Sequence, residues 1–130
     1  CRGQTQGAFH FGRRITPDQV NFDGRKPYVG SSPGPFRDAA VPVGSLPGNA
    51  FGLHEMHGNV WEWTRNQGES GRHGRAEPFN VLRGGAFDSP AALCRSAQRS
   101  RLVDLPRGLK TCGVRPVKVL PELPCQGPGI

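Results

Sequence analysis

The chain has 130 residues, of which 32 are Gly or Pro and 35% are hydrophobic, so it is long enough for one domain or part of one and too short for two. Seven Phe, two Trp and one Tyr are more large apolar anchors than a disordered chain carries, so a loop-rich ordered fold with little helix is expected. The net charge is +7 and 14 of the 17 basic residues are Arg, but apart from the close pairs Arg13-Arg14 and Arg72/Arg75 they are scattered singly, usually beside Gly, Ser or Pro. Neither a nucleic-acid partner nor a membrane is expected, since there is no basic stripe and no run of about eighteen apolar residues.

The opening Cys1-Arg2-Gly3-Gln4 has neither an apolar core nor an initiator Met, so no signal peptide is expected there. Phe9-His10-Phe11-Gly12 alternates briefly. Thr16-Pro17-Asp18-Gln19 has the form of a helix N-cap with Pro at the first helical position, which predicts a turn or two of helix. Asp23-Gly24, the Gly/Ser/Pro run at 30–35 and Leu46-Pro47-Gly48-Asn49 carry turn chemistry. Val60-Trp61-Glu62-Trp63 reads as a strand with both indoles on one face. Residues 66–78 are polar and Gly-rich, and are predicted as an exposed loop. A strand is expected near Val81–Ala86, broken by Gly84-Gly85. Another is expected within Cys94 to Val103, near Arg95–Arg99, and a last one near Gly113–Val119. The segment 120–130 reads as a loose Pro/Gly-rich tail.

Cys1, Cys94, Cys112 and Cys125 form no C-x-x-C pair, and no His lies at zinc-finger spacing from any of them. They allow two disulfides of open connectivity, which leaves the compartment open as well. His54 and His57 have a spacing that on a helix would serve one metal, but Gly52 and Gly58 flank them, so exposed turn histidines are expected.

The stretch Asn49-Ala50-Phe51-Gly52-Leu53-His54-Glu55-Met56-His57-Gly58-Asn59-Val60-Trp61-Glu62-Trp63 resembles the central signature of the formylglycine-generating enzyme family, the sulfatase-modifying factors. Further segments match in order. Cys1-Arg2-Gly3 with Phe9-His10-Phe11-Gly12 is similar to the stretch after that family's Glu-rich helix, and Val41-Pro42-Val43-Gly44-Ser45 to the strand before the signature. Val81 to Phe87, Arg95-Ser96-Ala97 and Cys112-Gly113-Val114-Arg115 resemble its ending. The resemblance implies an α+β fold, a variant of the C-type lectin fold, loop-rich with short strands and little helix. It covers residues 1–119 and matches the C-terminal part of such a domain. An N-terminal half, or another chain, is therefore expected to complete the fold.

The resemblance also implies a structural Ca²⁺ on the side chains of Glu55 and Glu62 and the carbonyls of Gly58 and Val60, a set of hard oxygens suited to that ion; the residues alone allow Glu62 to bond loop amides or an Arg instead. Gly58 would let the backbone turn inward and Asn59 would tolerate the unusual dihedrals. Asn21 and the Phe22 carbonyl match two ligands of a second site, whose Asp position is Pro35 and whose other carbonyl position is Arg37 here, so this site is expected to be lost unless Asp23 or Asp38 substitutes. The family's aerobic enzymes hold copper(I) between two cysteines five residues apart. Those positions are Ser89 and Cys94, so the pair is not intact, and Cys94 is read as a buried small hydrophobe or disulfide partner. Cys1 resembles a half-cystine whose partner position is Pro116.

Three functions follow from the resemblance. One is a catalytically silent, calcium-stabilised module that binds a peptide, protein or small ligand, with Trp61, Phe87, Arg95 and Arg99 as its contacts. Another is an oxidase that converts a sulfatase cysteine to formylglycine and would need copper. The last is a ligand-display protein diversified by a retroelement over the segment from about Phe87 to Thr111.

Overall fold

A computed structural model describes residues 1–70, 77–101 and 109–117. Among the described residues four strands make one mixed sheet: β1 (Trp61–Ser70), β2 (Glu77–Arg83), β3 (Ser100–Arg101) and β4 (Cys112–Gly113), in the spatial order β3-β2-β1-β4. β1 and β2 are antiparallel, with Glu62 opposite Arg83 and Trp63 opposite Leu82, and their register shifts between Trp63 and Gln67. β2 also pairs antiparallel with β3. β4 lies parallel to β1 and aligns Trp61 with Cys112 and Glu62 with Gly113. Helix among the described residues is confined to two 3₁₀ turns, Ala91–Cys94 and Leu109–Thr111. The expectation of long loops and little helix holds, whereas β1, at ten residues, is longer than the short strand expected near Val60–Trp63.

The chain's punctuation explains much of this. At Thr16 the backbone N–H donates to Gln19 Oε1 at 3.1 Å, and the Thr16 carbonyl accepts from Gln19 and Val20 N–H. These bonds close a turn at 17–19 and go no further, so the turn or two of helix expected from the N-cap form does not develop. β2 stops where Gly84 and Gly85 adopt φ of +97° and +83°. Gly85 is also a close approach, since a Cβ there would lie 2.6 Å from Cys94 Sγ.

Several boundaries differ from the sequence reading. β1 continues to Ser70 and β2 begins at Glu77, so much of the expected loop at 66–78 is hairpin backbone. Ladder pairing stabilises polar, Gly-containing strands whose side-chain pattern carries no signal of its own. No strand forms over Arg95–Arg99: Gln98 N–H turns back to the Arg95 carbonyl, and pairing starts only at Ser100. The final strand is limited to Cys112–Gly113, and Pro116 just beyond it has no N–H to offer a ladder. Residues 41–45 form a turn rather than a strand. The expected strand residues 118–119, the tail 120–130 and Cys125 lie outside the described residues.

Two apolar clusters hold the molecule. Phe9, Ile15, Val20, Phe22, Ala91 and Cys94 form one, with Ala8, Phe11 and Tyr28 packed against it. Trp61, Leu82 and Ala86 form the other, against Trp63, Leu93 and Cys112. Both indoles of Val60-Trp61-Glu62-Trp63 thus serve one cluster, as their alternation predicted. Burying each large side chain contributes about 1.5–3 kcal/mol.

Candidate functional site

The signature loop is built around polar side chains that bond backbone. Asn49 Oδ1 accepts from the N–H groups of Phe51 and Leu53 at 2.9 and 3.1 Å and closes the first turn. Glu55, at φ +50°, accepts from Gly44 N–H at 2.9 Å and from Leu46 N–H at 3.1 Å, which fixes the 42–46 turn. Gly58 and Asn59 both take left-handed dihedrals, φ +69° and +67°. A Cβ on Gly58 would lie 2.2 Å from the Asn21 carbonyl oxygen, so this position needs Gly for space as well as for dihedral freedom. Asn59 joins three segments. Its Oδ1 accepts from Asn21 Nδ2 at 3.0 Å and Val41 N–H at 2.8 Å, and its carbonyl accepts from Phe87 N–H at 2.9 Å.

His57 and Cys94 meet on the inner side of this loop. His57 is 2% exposed, contrary to the expected turn histidine. Its ring lies edge-on to Phe9 and stacked on His10. Nε2 accepts the His10 backbone N–H at 3.1 Å, so Nδ1 carries the proton and donates to the Cys94 carbonyl at 2.7 Å. Burial pulls the His57 pKa down to about 4. It pushes the Cys94 thiol up to about 12, so the sulfur is protonated at neutral pH and is no nucleophile. Cys94 is fully buried in the first apolar cluster, which bears out its reading as a small hydrophobe. Ser89, which the resemblance put at the other position of a thiol pair, is buried too, and its Oγ accepts from Ala86 N–H at 3.1 Å. Cys1, Cys94 and Cys112 are free thiols.

Glu62 points to the other side. The Arg115 guanidinium grips its carboxylate: Nε lies 2.9 Å from both oxygens and Nη2 lies 2.6 Å from Oε1. The same Nη2 donates to the His54 carbonyl at 2.9 Å. Glu55, Val60, Glu62 and Arg115 line one cavity of about 310 Å³, with Val43, Val114 and Pro116 among its walls. Of the four residues that the resemblance offered for calcium, Glu55, Val60 and Glu62 line this cavity and Gly58 does not, and as placed the set does not fit the ion. Both Glu62 oxygens are held by a cation, and both Glu55 oxygens accept backbone N–H. A divalent ion about 4 Å from a guanidinium is repelled by about 8 kcal/mol at an effective dielectric of 20 and about 2 kcal/mol in bulk water. For the second site, Asn21 Oδ1 is buried without a partner. Its amide orientation is fixed because Nδ2 donates to Ala39 O and Asn59 Oδ1. Asp23 beside it is committed to Arg25 and Lys26, which hold its carboxyl down to about 2. A single oxygen beside the Phe22 backbone falls short of the six to eight that Ca²⁺ takes.

The expected ligand contacts divide. Trp61 and Phe87 are 2% and 3% exposed, so their rings pack inward and offer no surface. Arg95 is half-buried and Arg99 exposed. Arg95 lines a small cavity with Arg83, Ser96 and Cys1. Sequence reasoning did not single out His57 or Arg115. For Arg115 the signal was present in Cys112-Gly113-Val114-Arg115 but pointed only to family membership. For His57 no local pattern marks burial.

The family model for the sulfatase-modifying factor enzyme 1-like domain matches residues 1–120, and the chain belongs to that family. Among its relatives, the formylglycine-generating enzyme of Mycobacterium tuberculosis is 36% identical over 124 residues, which cover 86% of this chain and 36% of that protein. A serine/threonine-protein kinase of Chlamydia caviae is 32% identical over 113 residues, covering 78% of this chain and 16% of the kinase. The inactive Cα-formylglycine-generating enzyme 2 of Bos taurus is 30% identical over 89 residues, covering 67% and 28%. The chain thus spans about a third or less of the length of these relatives.

Proposed function

We propose that this domain is a catalytically silent member of its family, a C-type-lectin-like module that binds a peptide, protein or other ligand. The observation that carries the reading is the state of sulfur. Thiol exchange with a substrate cysteine needs an accessible thiolate, and copper(I) selection needs paired soft ligands. Cys94 is sealed in an apolar cluster with its thiol pushed up to about 12. Its counterpart position holds Ser89, a hard and weak donor whose hydroxyl closes its own turn. The family includes both enzymes and proteins named inactive, so membership decides nothing here. For ligand contact, Arg95 and Arg99 are open to approach, whereas Trp61 and Phe87 support the fold.

The test supplies copper, oxygen and a peptide with a sulfatase motif to the intact protein and follows the peptide's mass. No change is expected. Conversion that disappears in Cys94→Ala would overturn the reading in favour of an oxidase.

A further inference from the structure

We propose that Arg115 is the resident cation of the Glu55–Glu62 cavity and that the folded domain has no need of a divalent ion there. A cation at this place has two tasks. It must pair with Glu62, whose side chain is only 19% exposed in the recess it shares with Val60, so that an unmet carboxylate there carries a desolvation cost. It must also tie β1 to the loop before it. The guanidinium does both, through three contacts of 2.6–2.9 Å to the carboxylate and one of 2.9 Å to the His54 carbonyl. A carboxylate and a backbone carbonyl are the donor kinds a hard metal ion would take. Here they are met by planar N–H groups, and arginine's fork suits a carboxylate better than any other side chain does.

The chain delivers Arg115 for topological reasons. β4 runs parallel to β1 with Gly113 opposite Glu62, so two residues past that register point the arginine reaches back over the same carboxylate. Gly113 leaves room for this, since a Cβ there would lie 2.8 Å from Val60 Cγ2. Glu55 does not compete for the guanidinium, because its oxygens hold the Gly44 and Leu46 amides. The tether makes the cation permanent: its local concentration does not depend on the medium.

The decisive measurement is the thermal midpoint of the intact protein with millimolar CaCl₂ against excess chelator at constant ionic strength. No shift beyond about 1 °C is expected for the wild type; a rise of several degrees with Ca²⁺ would overturn the proposal by itself. Arg115→Ala leaves the Glu62 charge without its counter-ion, and this variant should gain a calcium-dependent rise that the wild type lacks. A folded Arg115→Ala protein that ignores calcium would refute the claim that a cation is required there. Should that variant fail to fold, Glu62→Gln/Arg115→Met, which removes both charges, is expected to fold and to ignore calcium. A calcium-dependent midpoint in the double variant would place the ion elsewhere and also count against the proposal.

Discussion

His57, in the loop before β1, and Glu62, near the start of β1, are five residues apart, yet the protein treats them in opposite ways. His57 faces inward, meets Phe9, His10 and Cys94, and is held neutral because burial makes its protonated form costly. Glu62 faces the cavity side and is paired with a guanidinium, with the two side chains 19% and 29% exposed. The lesson is that one backbone path serves two dielectric regimes. In the interior the cheaper solution is to give up the charge, and near the surface it is to pair it. The switch between them occurs at Gly58 and Asn59, whose left-handed dihedrals reverse the facing of the chain.

The largest effect is therefore expected at that switch. Gly58→Ala places a methyl against the Asn21 carbonyl and strains a φ of +69°, which should cost about 3 kcal/mol or more and come close to unfolding a marginal domain. Chemical denaturation measures it, and a loss below about 1 kcal/mol would show that the two sides are not coupled through this residue.

Acid should next act on the inner side. The His57 pKa is about 4 in the folded protein against 6.5 when unfolded, so the unfolded state binds the extra proton between those values. Stability is full above pH 6.5 and falls by about 3 kcal/mol as the pH drops to 4. Denaturant melts across that range should show the decline, and His57→Phe should flatten it even though the variant is less stable throughout. A wild type with equal stability at pH 7 and pH 4 would remove the distinction between the regions. Asp23 adds a separate loss further down: its depressed carboxyl contributes stability above its ordinary pKa of 3.8 that disappears as the pH falls toward 2.

Salt gives the smallest response. The Glu62–Arg115 pair is partly exposed, so raising NaCl to 1 M at pH 7 should change stability through it by less than about 1 kcal/mol. The difference between the wild type and Glu62→Gln/Arg115→Met isolates that change, and a larger one would mean the pair is more deeply sequestered than its exposure indicates.

Read by itself, the sequence settled what local sterics settle. Thr16-Pro17-Asp18-Gln19 caps one turn, Gly84-Gly85 ends a strand, Gly58 and Asn59 turn the loop, and the alternation of Trp61 and Trp63 puts both indoles on one cluster. Each follows from the conformations a residue type permits or from a period of two. The fifteen-residue signature likewise carried the family. What only the tertiary structure decided were the partners. Glu62 could have held a metal ion, loop amides or an arginine, and the choice fell on a residue 53 positions away, brought there by a parallel pairing of two residues. His57 read as a turn histidine because burial depends on Phe9 and Cys94, which no spacing near residue 57 announces. The physical reason is the same in both cases: backbone preference is a property of the residue, whereas the fate of a charge depends on what distant chain brings within about 4 Å of it.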